Sequence, residues 1–196
     1  TVLLNYDIDD HTFPSVGSQN RRGVKSAMKY LADLGHRRVA HLAGREDEYV
    51  GIERLAGYRE AVRELGLEDD PALVAFTNFN YDGGARATEE LLARNIEFSA
   101  IMAANDYTAI GAMSALSAHG LRVPQDVSVV GYSGDETGLY YNPALTTVRE
   151  PAEEILHEAV KLIVKKDPAA YSHAGQAPKI QLPTELIVRN SCIAKQ

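Results

Sequence analysis

Apolar residues along this chain alternate between a strand-like pattern and a helix-like pattern, and this pair of patterns repeats four times. Short apolar stretches with the composition of β-strands lie at residues 39–43, 73–76, 99–103 and 127–131. Between them, apolar residues recur every three or four positions over about a dozen residues, which is typical of amphipathic helices. Strands that alternate with helices in this way predict right-handed β–α–β units and a parallel sheet.

Four residues at equivalent places predict where helices end. Gly35, Gly66 and Gly120 each follow a helical pattern, and Asn95 follows the remaining one. Both residue types adopt the left-handed conformation that closes many helices. Elsewhere we expect strands at residues 2–5, 145–148, 179–182 and 185–189. We also expect a helix opened by Pro151, with a buried face of Ile155, Leu156, Ala159, Val160 and Ile163.

The composition is that of a globular protein with an acidic surface. The 196 residues carry a net charge of −7, and 45% of them are hydrophobic, which is enough for a substantial core. DNA binding requires clustered cationic groups, and this chain offers only pairs such as Arg21-Arg22 and Arg37-Arg38. We therefore expect no nucleic-acid surface on these residues. No apolar run approaches the ~20 residues of a membrane span, so we expect no membrane partner.

Two features bear on the cellular compartment. The single cysteine, Cys192, excludes an internal disulfide and fits a reducing compartment, although periplasmic proteins can also lack disulfides. Residues 1–7 carry no basic leader or cleavage pattern. We therefore expect a cytoplasmic protein.

The sequence lacks the motifs that anchor a catalytic function. It contains neither a Gly-rich phosphate loop nor a Gly-x-Ser-x-Gly nucleophile motif. His157-Glu158 lacks the second histidine of a zinc-protease helix. Asp9, Asp10 and His11 could ligate a metal ion, but such acidic turns are usually solvated. We expect no enzyme activity, no metal site and no cofactor.

Polar and aromatic residues collect instead at the ends of the predicted strands. The carboxyl ends of parallel strands meet at one edge, where open α/β sheets bind ligands. Asn105 and Asp106 either grip ligand hydroxyl groups through charge-assisted hydrogen bonds or cap the next helix. Phe79 and Tyr81 are either a stacking platform or loop aromatics packed on the core. Arg54 is predicted to open a helix, where a cation opposes the macrodipole, which indicates that the guanidinium has a partner.

Six segments in order resemble the lactose-/galactose-repressor (LacI/GalR) family. They are LGHRRVAHLAG at 34–44, RLAGYR at 54–59, Ala104-Asn-Asp106 followed by AIGA at 109–112, GLRVPQDVSVVGY at 120–132, PALTTVREP at 143–151 and LIVR at 186–189. The resemblance runs from about residue 1 to residue 191.

This resemblance implies an α/β fold of the type I periplasmic-binding-protein kind. Parallel sheets flanked by helices would form two subdomains with a ligand cleft between them. Residues 1–34 and 148–165 would belong to an incomplete N-terminal subdomain, and residues 35–147 and 166–196 to the C-terminal one. The helix-turn-helix of the family is absent from these residues, so operator DNA would be bound only through a part outside them.

The resemblance also assigns contact positions for a ligand. The matching residues are Arg54, Phe79, Asn105, Asp106 and Glu150. Ser133 stands where the family often has aspartate after Gly-Tyr, and Ser18-Gln19 stands where it often has Asp-Asn. Arg22 lies on the helix expected to face the cleft. Ser133 removes one negative charge and Arg22 adds a positive one, which favours a sugar-like metabolite that carries a carboxylate or phosphate.

Taken together, the sequence predicts the effector-sensing domain of a LacI-type transcriptional regulator of the repressor kind. A sugar or related metabolite would bind in the cleft and shift the conformational population. The intact protein is expected to be a homodimer, paired through the helix around residues 109–116 and through Tyr140-Tyr141; the alternative for the two tyrosines is that they line the cleft. The alternative is a periplasmic sugar-binding protein of an ABC transporter, since fold alone does not separate the two functions.

Overall fold

A computed structural model describes residues 1–6, 13–164 and 177–195. The chain divides into two compact units. The smaller unit comprises Thr1–Gln19 and Glu150–Thr184, and the larger comprises Asn20–Arg149 and Glu185–Gln196.

The strands and helices follow the predicted alternation. The strands are β1 Leu3–Leu4, β2 Ser15–Ser18, β3 Val39–Ala43, β4 Val74–Phe76, β5 Ala100–Ala103, β6 Ser128–Ser133, β7 Thr146–Arg149, β8 Lys179–Leu182 and β9 Glu185–Ile187. The helices are α1 Asn20–Asp33, α2 Tyr49–Glu64, α3 Tyr81–Ala93, α4 Asp106–Ala118, α5 Thr137–Tyr140 and α6 Ala152–Val164. A short 3₁₀ turn at Pro71–Leu73 takes the place of the first residue of a predicted strand.

The larger unit is built on a six-stranded sheet in the order β4-β3-β5-β6-β7-β9. All neighbouring strands are parallel except β7 and β9, which are antiparallel. The predicted parallel sheet is thus confirmed, and the carboxyl ends of β3 to β7 lie along one edge of it.

The four predicted helix stops all have the backbone conformation that the sequence indicated. Gly35, Gly66 and Gly120 have φ angles of 88°, 61° and 74°, and Asn95 has a φ of 53°. Left-handed conformations at these positions turn the chain out of each helix and toward the next strand.

Both faces of the larger sheet carry a buried core. Alternate residues of β5 point to opposite faces: Ile101 packs with the residues of α3 and α4, whereas Met102 packs with those of α1 and α2. The α3–α4 pair is closely packed, since an added Cβ on Gly84 would lie 2.2 Å from the carbonyl oxygen of Thr108. This close packing fixes the positions of the amino ends of α3 and α4 at the carboxyl edge of the sheet, which is the edge where open α/β sheets bind ligands.

The smaller unit contains the three-stranded parallel sheet β1-β2-β8, against which α6 packs. Its buried core consists of Val16, Ile155 and Ala159. The predicted buried face of the α6 helix is therefore wrong in part, because Leu156, Val160 and Ile163 are each more than half exposed. Among the described residues, no second layer covers that apolar side of α6.

The division into units differs from the predicted boundaries in two places. Helix α1 lies in the larger unit, since Val24, Met28 and Leu31 are buried in the core that it shares with α2. Strand β8 lies in the smaller unit, because it pairs with β2 from Ser15 to Ser18. Among the described residues, no helix is long and apolar enough to cross a membrane.

Candidate functional site

The carboxyl edge of the larger sheet gathers five of the predicted site residues: Arg54, Phe79, Asn105, Asp106 and Ser133. Hydrogen bonds connect the segments around them, as described below. The larger unit thus carries a concentration of polar groups at the edge where the parallel strands end.

Arg54 is a buried and firmly held cation. Its side chain lies in the second turn of α2 and only 4% of the residue is exposed. Nε donates to Oδ1 of Asn20 at 2.8 Å and Nη1 donates to the carbonyl oxygen of Ala104 at 2.7 Å. The guanidinium also lies 3.8 Å from the centre of the Tyr132 ring, a cation–π contact.

The expectation that Arg54 opens its helix is wrong, because α2 begins at Tyr49. The inference that its guanidinium has a partner is confirmed by the contacts with Asn20, Ala104 and Tyr132. Those partners fix the plane of the guanidinium before any ligand arrives, so binding requires little further ordering of this side chain.

Asn105 connects α4 to the loop that carries Phe79. As the residue that caps α4, it accepts through Oδ1 from the backbone N–H of Thr108 at 2.9 Å. Its Nδ2 donates to the carbonyl oxygen of Phe79 at 2.8 Å. The capping interpretation is therefore confirmed for Asn105, and both ends of its amide are engaged within the protein.

Phe79 is a half-buried aromatic held in an uncommon conformation. Its φ is 57°, and an added Cβ on Gly44 would lie 2.0 Å from the ring atom Cζ. The ring thus lies directly against the backbone that follows β3, and the residue as a whole is partly exposed. Tyr81 is not beside it as a second platform; its ring instead meets that of Tyr107, with centroids 5.1 Å apart.

Asp106 is a buried carboxylate with both oxygens occupied by the protein. Only 1% of the residue is exposed. Oδ1 accepts from the hydroxyl of Thr147 at 2.6 Å, and Oδ2 accepts from the backbone N–H of Asp135 at 2.6 Å. The expectation that Asp106 grips ligand hydroxyls directly does not fit this geometry, because neither oxygen faces open space. Asp106 instead connects α4 to β7 and to the loop after β6 through these two hydrogen bonds.

Burial raises the pKa of Asp106 to about 6, against the opposing effect of its hydrogen bonds from Thr147 and from the Asp135 and Gly134 backbones. A charged group out of water is destabilised unless hydrogen bonds replace its hydration. Here the replacement is incomplete, so the carboxyl retains its proton to a higher pH than usual.

The loop after β6 is shaped by positive φ angles and by Asp135. Ser133 has a φ of 115° and Gly134 a φ of 80°. The carboxylate of Asp135 accepts from the backbone N–H of Thr137 at 2.8 Å and from the hydroxyl of Tyr107 at 2.9 Å. These bonds, with that of Thr137 first, lower the pKa of Asp135. Asp135 is therefore a residue that stabilises the turn.

The remaining predicted residues lie elsewhere in the chain. Glu150 belongs to the smaller unit, where Oε1 accepts from the hydroxyl of the buried Ser18 at 2.7 Å. Arg22 is an exposed residue in the first turn of α1.

Three residues of this network were missed by sequence reasoning: Asn20, Tyr132 and Thr147. The available signal was weak but present, since Thr146 and Thr147 are polar residues inside a predicted strand and both are fully buried. Buried hydroxyls normally have a specific hydrogen-bond partner. Within the described residues no group of side chains could hold a metal ion, and Asp9, Asp10 and His11 lie outside those residues.

Comparison with known proteins assigns this arrangement to a family. A family model described as a periplasmic binding protein-like domain matches residues 28–192. The regulator CelR of Thermobifida fusca, named an HTH-type transcriptional regulator, is 38% identical over 90% of this chain and 51% of its own length. The chain belongs to the LacI/GalR family.

Solved structures of LacI-family proteins share the fold. A CelR–cellobiose complex has a TM-score of 0.86 at 34% identity, covering 97% of this chain and 64% of that one. A lac repressor dimer bound to operator and an anti-inducer has a TM-score of 0.87 at 26% identity, covering 98% of this chain and 65% of that one. These findings confirm the resemblance and the periplasmic-binding-protein-like fold. This chain spans about half the length of the curated relatives it matches.

The titration of Asp106 gives this LacI-family chain a testable pH dependence. The pKa is raised from 3.8 to about 6 in the folded protein, so the folded state holds the proton more tightly than the unfolded chain. Asp106 therefore contributes stability below pH ~4 that is lost as the pH rises through about 6, by up to about 3 kcal/mol.

We expect the Asp106→Asn variant to lack this decrease in its free energy of unfolding between pH 4 and 6, measured by chemical denaturation at each pH. The difference between variant and wild type is the informative quantity, because buried His41, with a pKa lowered to about 4 by burial, changes stability in the opposite sense in both proteins. Parallel pH profiles for the two proteins would contradict the assignment.

Proposed function

We propose that this chain is part of the effector-sensing domain of a LacI-type transcriptional repressor that responds to a sugar or related metabolite. The observation that carries the proposal is the convergence of Arg54, Phe79 and Asn105 at the carboxyl edge of a parallel sheet in a chain of this family. Curated relatives bear the name of HTH-type regulators, which favours this function over a periplasmic transport protein of the same fold.

The ligand that suits this edge is polyhydroxylated. Sugars offer one apolar face that stacks on an aromatic ring and hydroxyl groups that accept from a fixed guanidinium. Phe79 supplies the ring, and Arg54, already oriented by Asn20 and Tyr132, supplies the donor. Asn105 and Asp106 act as positioning residues, the first through the Phe79 loop and the second through the Gly134–Asp135 backbone.

The charge of the edge favours an acidic member of that ligand class. Ser133 places a neutral hydroxyl at the end of β6, and the carboxylates of Asp106 and Asp135 at this edge are both hydrogen-bonded within the protein. Arg22 adds an exposed cation to the first turn of α1, and Glu150 is the acidic residue of the proposed contact set in the smaller unit. We propose that a carboxylate-bearing sugar binds more tightly than its neutral counterpart.

The regulatory step is proposed to be a shift between conformations that the ligand binds with different affinity. With a net charge of −7, this chain is not itself the operator-binding surface. DNA binding is assigned to a helix-turn-helix outside it, in the cytoplasm, and no catalytic step or cofactor takes part.

We further propose that the intact regulator is a homodimer. Tyr140 is 82% exposed and the preceding Leu139 is 48% exposed. Tyr107, at the start of α4, is another exposed aromatic. Large apolar groups of this kind mark protein–protein contacts when they lie together on a surface.

Two details of the predicted dimer surface need correction. Tyr141 packs against the core and is only partly exposed, unlike its neighbour Tyr140. Most of residues 109–116 are buried as well, because Ile110, Met113 and Leu116 lie in the core that α4 shares with α3. The proposed contact is therefore the tip formed by α5, not the side of α4.

For the effector site, the variants are Arg54→Lys and Arg54→Ala. Lysine lacks the planar fork that engages Asn20 and Ala104 together, so both variants are expected to weaken sugar binding at least tenfold, in line with the about 1.5–3 kcal/mol of a hydrogen bond to a charged group. Calorimetric titration of the intact regulator with cellobiose, glucose and glucuronate measures this, with thermal melting as a check on folding.

Arg63→Ala provides the control, since Arg63 is an exposed cation on the same helix. Its affinity should equal that of the wild type. Absence of binding by all three sugars, or unchanged affinity in Arg54→Lys, would contradict the proposed site.

For the dimer, the substitution is Leu139→Glu combined with Tyr140→Glu. Two carboxylates at a self-complementary contact repel and must be desolvated, so the variant should be a monomer at micromolar concentration in sedimentation equilibrium. Ile52→Glu is the matched control, because Ile52 is 49% exposed on α2. A wild-type monomer, or a dimer that the double variant leaves intact, would refute this pairing surface.

A further inference from the structure

We propose that the larger unit carries a second small-molecule site, for an amphipathic carboxylate, at the edge opposite the effector site. A groove of about 510 Å³ lies at the amino ends of β3, β5 and β6. We call it the basal groove and define it by its apolar residues Leu92, Ile96, Phe98, Leu121 and Val127. Its volume falls within the range of about 300–1,000 Å³ that is usual for small-molecule sites. The inference does not depend on the function proposed above.

The floor of the basal groove is apolar and well supported. Ile96, Phe98 and Leu121 are partly buried and pack against the core that α3 and α4 share, and Val127 is part of that core. Ile96, Phe98 and Leu121 are fixed from below while part of each remains accessible, and Val127 is buried beneath them. A floor of this kind favours an alkyl chain or an aromatic ring, because transfer of apolar area out of water is favourable.

Two of the charges at the rim are already neutralised. Arg38 forms ion pairs with Glu68 and Asp70, and its Nε donates to the carbonyl oxygen of Glu97 at 2.5 Å. Asp126 accepts from Arg122 at 2.8 Å, and that bond lowers its pKa to about 2. Arg38 is held by two carboxylates that do not themselves line the groove, and Asp126 is held by Arg122, so neither residue offers an unpaired charge to a ligand.

Arg37 and Lys195 remain as cations at the rim, with Glu97 as the anion. Both cations line the groove, and neither forms an ion pair with any residue in the described part of the chain. Their chain segments lie close together, because the backbone N–H of Lys195 donates at 2.8 Å to the carbonyl oxygen of Leu34, three residues before Arg37. Two cations against one anion select a ligand with a negative head group.

The wall beneath these cations is rigid. His36 is buried, and its Nε2 lies 3.0 Å from the carbonyl oxygen of Ile193 while Nδ1 lies 2.8 Å from the hydroxyl of Ser99. A carbonyl only accepts, so Nε2 carries the proton and Nδ1 accepts from Ser99. Burial lowers the pKa of His36, which keeps the ring neutral. Through His36, the segment of Ile193 and Lys195 is therefore connected to Ser99, the residue directly before β5.

The probe for this site is octanoate, which combines an alkyl chain with a carboxylate, titrated into the intact protein and followed by amide chemical shifts. We expect saturable binding at millimolar concentration, with the largest shifts at Phe98, Leu121 and Val127. Arg37→Glu and Lys195→Glu should each weaken binding at least about tenfold, and octanol should bind at least about tenfold more weakly than octanoate, because a charge-assisted bond is lost.

Arg63→Glu is the matched control, because Arg63 is an exposed cation of α2 that does not line the groove, and this variant should bind octanoate as the wild type does. Circular dichroism confirms that each variant is folded. Three results would each overturn the proposal: no saturable binding, equal affinity of the wild type and both rim variants, or shifts confined to the exposed apolar side of α6.

Discussion

At the carboxyl edge of the larger sheet, the Asp106 carboxylate joins three parts of the chain that lie far apart in sequence. One oxygen accepts from Thr147 in β7 and the other from the backbone of Asp135 in the loop after β6, while the residue itself begins α4. Gly131 makes room for this carboxylate, since an added Cβ there would lie 2.1 Å from Oδ1. Burial destabilises the charged form, and the short hydrogen bonds offset part of that effect. These hydrogen bonds fix α4, β7 and the loop after β6 relative to one another at the carboxyl edge of the sheet.

The arrangement of the candidate site residues follows from those hydrogen bonds and from the topology of the parallel sheet. Parallel strands bring their carboxyl ends to one side, so Ala104 after β5, Phe79 after β4 and Ser133 at the end of β6 lie at the same edge. The Arg54 guanidinium is then held by Asn20, Ala104 and Tyr132. A site whose cation and aromatic ring are fixed in advance requires little ordering when the ligand binds.

Much of the fold could be predicted from the sequence because it depends on local periodicity. The alternation of strands and helices, and the helix stops at Gly35, Gly66, Asn95 and Gly120, depend on residues close in the chain. Placement of polar residues at the ligand edge followed from the parallel topology that this alternation implies. Those inferences needed no knowledge of distant contacts.

The rest could not be predicted because it depends on partners remote in sequence. Asn20 and Arg54 are 34 positions apart and Asp106 and Thr147 are 41 apart, so no periodicity indicated that these groups are mutually engaged. The exposed side of α6 was misjudged for a related reason, since the helical pattern shows which residues are apolar and not what covers them. Likewise, adjacent Tyr140 and Tyr141 look equivalent in sequence, yet only Tyr141 reaches the core.

We propose that an effector sugar binds at the carboxyl edge of the larger sheet, which is organised around Asp106 and Arg54. Amide and arginine side-chain chemical shifts of the intact regulator, recorded with cellobiose and with glucuronate, test this proposal. We expect the largest changes at Phe79, Asn105, Asp135 and the Nε–H of Arg54, and we expect them to be larger for glucuronate at equal concentration. Changes restricted to the amino ends of the strands, or an unchanged Arg54 Nε–H in the presence of a bound sugar, would contradict it.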